Sequence, residues 1–223
     1  MSQLSLLKLL QLSSPTLPVG AFAYSQGLES AIEASIIKDR ATLKTWLIDT
    51  LKYSLQNVDL PIFKRLYRAW ETADLEQVDY WNNALRAQRE TSELRNEDHH
   101  LGIALARLLN DLGIDEAGAL KKKHDLCFIT LFTLASYKWQ IDIEEAANGL
   151  IWAWLDNQIA AAIKLVPLGQ TDGQRVMSEM LPEIPEIVKT GLAVKDEDIG
   201  AALPMIAILS AQHETQYSRL FRS

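Results

Sequence analysis

The sequence predicts an all-α fold, a single-domain helical bundle of about ten helices. Apolar residues recur at spacings of three and four over long stretches, which is the period of one helix face. Ten glycines and seven prolines among 223 residues leave few interruptions. Strands are not predicted, because no sustained two-residue alternation is bounded by hairpin turns.

The periodic segments predict ten helices. The spacing is clearest at Leu43, Leu47 and Leu51, and again at Leu101 and Leu105. In chain order the predicted helices are Leu4–Leu12, Gln26–Ile36, Thr42–Leu55, Leu60–Thr72, Glu76–Glu93, Glu97–Leu112, Ala119–Tyr137, Ile143–Leu165, Gly173–Lys189 and Asp198–Gln212.

Several helix ends carry their own signals. Asp74 with Gln77, and Asp142 with Glu145, have the spacing of a capping box, in which a side-chain oxygen accepts from first-turn N–H groups. Gly113 follows an apolar stripe and is expected to stop that helix in the left-handed conformation.

The later part of the chain is marked by prolines and glycines. Gly191 is expected to end a helix that Pro182 and Pro185 start or bend. Thr171 or Asp172 is expected to cap the helix that follows the turn after Lys164.

Three segments break the helical rhythm, namely residues 13–29, 164–174 and 213–223. The first contains two prolines, which forbid regular helix, and Gly20 and Gly27, which permit close backbone approach. These segments are therefore the places where function is sought first.

Composition limits the class of protein. A chain of this length with 48% apolar residues can bury a core without disulfides or a structural metal. The net charge of −7 and the absence of a basic face argue against nucleic acid as a partner. The single Cys127 lies in an apolar run and is interpreted as a buried thiol in a reducing compartment.

No secretory signal and no membrane span are predicted. Leu4–Leu12 is short and amphipathic, and no small-residue cleavage site follows it. The apolar segment Gly149–Val166 contains Asp156 and Lys164, which a membrane span would place in hydrocarbon, so it is interpreted as a buried helix. A cytoplasmic protein is expected.

The sequence offers no convergent set of reactive groups, so we expect no enzymatic activity, no cofactor and no metal site. His99 and His100 are adjacent and point about 100° apart on a helix. Glu97 and His100 have the Glu-x-x-His spacing of di-iron bundles, but only one copy is present. The stretch containing Glu93, Arg95, Glu97 and Asp98 is interpreted as a solvated polar turn. His124 and His213 are expected to be capping or core histidines.

Nucleotide hydrolysis and nucleophilic catalysis lack signatures as well. No GxxxxGK loop occurs, and the lone cysteine excludes a Cys-x-x-Cys zinc pair. Any chemistry is therefore expected to belong to a partner.

The C-terminal segment, residues 213–223, alternates aromatic and aliphatic residues with arginines. Aromatic residues and Arg are typical interface hot spots, so partner docking is one interpretation. An ordinary disordered terminus is the other. Residues 164–174 likewise allow two interpretations, a simple helix connection or a polar surface for a partner, formed by Lys164, Gln170, Gln174 and Arg175.

Four blocks of the sequence resemble urease accessory proteins of the UreF family, in the family order. They are SSPTLPVGAFAYSQGLE, ETSELRNEDHHLGIALARLL, AAAIKLVPLGQTDGQRVM and HETQYSRLFRS. The family often has Gly-Gly-Phe-Ser where this chain has Gly20-Ala21-Phe22-Ala23.

The resemblance implies a non-catalytic, homodimeric scaffold for GTP-dependent nickel insertion into apo-urease, bridging UreD (also called UreH) and the GTPase UreG. It implies one domain over residues 1–223, with a partner-binding tail at 213–223 that orders on binding UreD and helps to present a surface for UreG. The alternatives are a regulator of GTP hydrolysis by UreG, acting through Lys164 or Arg175, and a helical metalloenzyme using Glu97, His99 and His100. The implied partner-binding residues are Tyr24, Gln26, Glu29, Lys164, Gln170, Gln174, Arg175, His213, Glu214, Tyr217, Arg219, Leu220, Phe221 and Arg222.

Overall fold

The structure is a computed structural model that describes residues 2–120, 125–166, 168–200 and 203–223. These residues contain helices and connections but no strand, which confirms the predicted all-α class. The α-helices are α1 (Gln3–Leu12), α2 (Leu28–Glu33), α3 (Arg40–Thr50), α4 (Leu60–Glu71), α5 (Leu75–Ala87), α6 (Ser92–Asp111), α7 (Asp115–Leu120), α8 (Phe128–Lys138), α9 (Ile143–Leu165), α10 (Gln170–Met180), α11 (Ile184–Ala193) and α12 (Pro204–His213).

The predicted helices Thr42–Leu55 and Leu60–Thr72 form one continuous rod, because a π-helical segment (Leu51–Asp59) joins α3 to α4. Pro61 has no N–H group, so the carbonyl of Asn57, four residues earlier, loses its α-helical donor. The N–H of Gly200 donates to that carbonyl instead, at 3.2 Å. Contact with a distant segment thus supplies a donor for the carbonyl that the proline leaves without its α-helical partner.

The core is built around α4 and α8. Residues 129–136 of α8 are all buried, as expected for a helix that is apolar on every side. The indole N–H of Trp70 on α4 donates to the carbonyl of Thr130, and the hydroxyl of Tyr67 donates to the carbonyl of Ile141. These bonds satisfy the polar ends of large side chains inside the core.

Two expected helix-end signals are confirmed. The side chain of Asp74 accepts from the N–H of Gln77 at 3.0 Å at the start of α5. Gly113 adopts a φ of +88° directly after α6 and its cap residue, so it stops that helix as expected.

Asp142 caps the start of α9 as expected, although its side chain accepts from the N–H of Glu144 and not of Glu145. The expected cap of α10 is wrong, because Gly169 occupies the position expected for Thr171 or Asp172.

Gly191 lies inside α11 and does not end it. A Cβ at this position would stand 2.7 Å from the Cβ of Leu60, so the glycine permits close contact between α11 and the rod. The predicted helix Gly173–Lys189 is divided into α10 and α11 by a short 3₁₀ turn (Leu181–Glu183) that contains Pro182.

The segment between α5 and α6 also differs from the prediction. The helix expected to reach Glu93 ends at Ala87, and α6 begins at Ser92 with Thr91 as its N-cap. The predicted helix Ala119–Tyr137 corresponds to the end of α7 and most of α8. Its residues 121–124, which include His124, lie outside the described residues.

Cys127 is buried, as expected, and burial raises the pKa of its thiol well above the ordinary value. Within the described residues, none of the helices has the length and hydropathy needed to cross a membrane.

Candidate functional site

The C-terminal tail, defined here as residues 213–223, folds back onto the body of the protein. The N–H of Arg222 donates to the carbonyl of Ala23 at 2.8 Å, and the N–H of Ser25 donates to the carbonyl of Ser223 at 3.0 Å. His213, Phe221 and Ser223 are buried. The tail is therefore ordered against residues 23–29 and α6, which the sequence alone left undecided.

Glu29, buried in α2, is the main anchor of the tail. Its carboxylate accepts from the N–H groups of Leu220 and Phe221 at 2.7 and 2.9 Å. The same carboxylate lies 3.1 Å from Nε2 of His213. One carboxylate therefore contacts the first residue of the tail and the backbone of Leu220 and Phe221.

His213 lies between two carboxylates at the end of α12. Its Nδ1 is 2.7 Å from Oε2 of Glu93. Arg219 donates to the other oxygen of Glu93 at 2.8 Å, so the imidazole and a guanidinium of the tail both contact this buried carboxylate.

Glu97 lies one turn further along α6 and binds the last residue of the chain. The hydroxyl of Ser223 and the side-chain amide of Gln26 lie 2.7 Å from its two oxygens. Trp154 of α9 donates to the amide oxygen of Gln26 at 2.8 Å. Burial raises the pKa of Glu97 to about 7, although both hydrogen bonds oppose this shift.

The loop that receives the tail has an unusual backbone. Gln26 and Gly27 both have positive φ, and a Cβ on Gly27 would also contact the backbone of α12. Tyr24 is buried, and its hydroxyl lies 3.0 Å from Nδ1 of His100. The Pro- and Gly-rich loop thus forms the surface on which the tail packs.

The tail also presents side chains outward. Tyr217 is fully exposed, with a relative accessibility of 105%, and Leu220 is 64% exposed. Arg222 is exposed as well. The ammonium of Lys164, at the end of α9, stands 5.6 Å from the ring centre of the buried Phe221.

The structure brings most of the residues proposed for partner binding together. The following belong to the tail or contact it: Gln26, Glu29, Lys164, His213, Glu214, Tyr217, Arg219, Leu220, Phe221 and Arg222. Tyr24 lies between Ala23 and Ser25, whose backbones bind the tail, and its own hydroxyl contacts His100. Gln170, Gln174 and Arg175 are exposed on α10, which packs on α9 and α3, and Arg175 pairs with Asp172.

The interpretation of residues 93–98 as a solvated polar turn is wrong. Glu93, Glu97 and Asp98 are only 9%, 4% and 7% exposed, because cations and hydroxyls from distant segments bind them. Arg89 pairs with Asp98 at 2.9 Å and with Asp59 at 2.7 Å. A buried carboxylate is stable only with such partners.

Glu93 and Ser223 are functional candidates that the sequence reasoning missed, and it considered Glu97 only as a ligand in the metalloenzyme alternative. Glu93 and Glu97 stand four residues apart, in register with Leu101 and Leu105, which are buried core residues. That shared helix face was the signal available in the sequence.

Among the described residues, no group of three or more His, Cys, Asp or Glu side chains is placed to hold an ion. Glu97 and His100 have different partners, Ser223 and Tyr24. The Glu-x-x-His spacing therefore gives no support to the metalloenzyme alternative.

Comparison with known proteins relates the chain to a family. The UreF family model matches residues 37–181. A urease accessory protein UreF from Alkalilimnicola ehrlichii is 50% identical over 216 residues, covering 97% of this chain and 95% of the relative. The proteins of the same name from Hahella chejuensis and Teredinibacter turnerae are 48% and 46% identical, covering 100% and 98% of both chains in each pair. The chain therefore belongs to the UreF family of urease accessory proteins.

Proposed function

We propose that this chain is a non-catalytic cytoplasmic scaffold for urease maturation, which bridges UreD (UreH) and the GTPase UreG during GTP-dependent nickel insertion into apo-urease. The observation that carries the proposal is the similarity to urease accessory proteins UreF along the whole chain, tail included. The bridging and nickel-insertion roles follow from the family resemblance.

The geometry of the tail supports a docking role. Along it, buried anchors such as His213 and Phe221 alternate with the exposed Tyr217, Leu220 and Arg222. A segment that is already held in place loses little conformational entropy when a partner binds, so more of the contact energy becomes affinity. Tyr and Arg, two of the exposed residue types, are those that supply interface hot spots.

A second exposed apolar surface supports the proposed homodimer. Leu4, Leu7 and Leu10 of α1 are each more than half exposed. Apolar side chains grouped on one helix face favour burial against another protein surface. Sedimentation of the purified chain tests this part, and a monomer at micromolar concentration would contradict it.

The test of the tail is a capture experiment with UreD and UreG. Complete removal of residues 213–223 would also take away the donors that the tail supplies to Glu29, Glu93 and Glu97, so point variants are preferable. We expect a Tyr217→Ala/Leu220→Ala double variant to lose capture of UreD. The control is Tyr80→Ala on α5, which removes an aromatic side chain that is 60% exposed on another helix. Equal capture by the double variant and the control would refute the docking role of the tail.

Regulation of GTP hydrolysis by UreG is the second candidate function. It is favoured by one observation, that the exposed Lys164 carries a cation at the edge of the tail. We expect Lys164→Ala to change GTP turnover by UreG in the complex, whereas Lys189→Ala, an exposed lysine on α11, leaves it unchanged. An unchanged rate with Lys164→Ala removes this candidate.

A further inference from the structure

Glu97 occupies an unusual position between three separate parts of the protein. Ser223 of the tail and Gln26 of the receiving loop bind its two oxygens, and Gln26 connects it to Trp154 of α9. Because the tail covers this carboxyl group, the tail can leave only if Glu97 becomes accessible to water.

The charged groups around Glu97 leave it without a cation of its own. On α6, Asp98 is the adjacent acid, and Glu93 is already paired with His213 and Arg219. Arg89, the nearest cation before α6, is shared between Asp59 and Asp98.

The other elements packed around Glu97 do not supply a cation either. His100, on the next turn of α6, binds Tyr24. The receiving loop and the tail contribute neutral side chains, Gln26 and Ser223. On α9, Asp156 lines the same cavity as Glu97, and burial raises its pKa as well.

We infer that docking of the tail is coupled to one proton carried by Glu97, so that the tail is held most firmly in mildly acidic solution and loosens as the pH rises to neutrality. The inference goes beyond the proposed function and does not require it, because it concerns the isolated chain.

The direction follows from linkage. With the tail docked, burial raises the pKa of Glu97 from 4.5 to about 7, and hydration of the released state lowers it again. The docked state therefore binds more protons than the released state between these values. A group whose pKa is raised contributes stability that is complete at low pH and is lost as the pH rises towards the docked-state pKa.

Ser223 allows Glu97 to hold this proton. Its hydroxyl can donate to an ionised carboxylate or accept from a protonated one. A protonated Glu97 can therefore donate to this hydroxyl.

The test is a spin label on the exposed tail residue Ser218, introduced through Ser218→Cys. The native Cys127 is only 2% exposed, and the unsubstituted chain treated in the same way gives its background. We expect the ratio of immobile to mobile label to fall about tenfold per pH unit between pH 5.5 and 7 and to level off above 7.

Glu97→Gln in the labelled chain removes the titration while retaining a hydrogen-bonding side chain of the same shape. We expect its mobility to be independent of pH over this range, whereas the control Glu90→Gln, an exposed acid just before α6, retains the original profile. A flat profile without the Glu97 substitution, or the same slope with it, overturns the inference.

A second variant keeps the inference testable if Glu97→Gln fails to fold. Ser223→Ala removes a hydrogen bond that lowers the pKa of Glu97. We expect the pH at which the profile levels off to move upward. A variant that loosens the tail equally at every pH would assign Ser223 a purely structural role and overturn the inference.

Discussion

Glu29 is the residue whose loss should most directly release the tail. Glu29→Ala removes the acceptor of the N–H groups of Leu220 and Phe221 and one of the two carboxylates beside His213. Removal of one partner from a buried ion pair typically costs about 3 to 5 kcal/mol. At about 1.4 kcal/mol per tenfold change, the released fraction should increase about 100-fold or more.

Trypsin cleavage after Arg219 measures this change. The bond after Arg219 joins it to Leu220, whose N–H is held by Glu29, so cleavage requires local release of the tail. When opening and closing are fast relative to cleavage, the cleavage rate follows the population of the open form. We therefore expect cleavage at low protease concentration to accelerate about 100-fold or more, while the helix content measured by circular dichroism is retained.

The control for this experiment is Glu33→Ala, which removes an exposed acid from the same helix, α2. Glu29→Gln serves as an intermediate variant, because it keeps an acceptor but loses the charge. If Glu29→Ala is cleaved no faster than Glu33→Ala, the carboxylate does not hold the tail and our account of the anchor is wrong.

Two further predictions concern the core. Gly102→Ala should lower the free energy of unfolding by about 1 to 3 kcal/mol in urea titrations, because its Cβ would stand 2.4 Å from the carbonyl oxygen of Leu126. Gly169→Ala, which has open space around its Cβ, is the control and should be nearly neutral. Equal urea midpoints for the two variants would contradict the predicted clash. The thiol of Cys127 should react with a disulfide reagent at pH 8 only after unfolding, because burial excludes the reagent and raises the pKa of the thiol; stoichiometric reaction of the native protein within minutes would show that the site opens.

Local signals in the sequence were sufficient for several elements. The helix Ile143–Leu165 was predicted with the observed bounds, because Asp142 caps its start and an apolar run continues to Leu165. Gly113 stops α6 because its φ of +88° is a conformation that glycine adopts without strain. Where neighbours along the chain decide a feature, a single sequence is enough to predict it.

Features decided by distant segments were predicted less well. The carbonyl of Asn57 in the π-helical connection accepts from the distant Gly200, and Gly191 inside α11 lies against the distant Leu60. Gly200 and Leu60 lie far along the chain from the residues that they contact, so no local sequence pattern could have indicated either contact.

The sequence by itself determined the all-α class, the position of the long helix α9 and the three segments, residues 13–29, 164–174 and 213–223, that depart from helical periodicity. Only the tertiary structure decided that the first and the last of these segments bind each other, and that Glu93 and Glu97 are buried between them. The physical reason is that a carboxylate can be buried only when donors surround it, and the donors from His213 and Ser223 lie more than a hundred residues away along the chain.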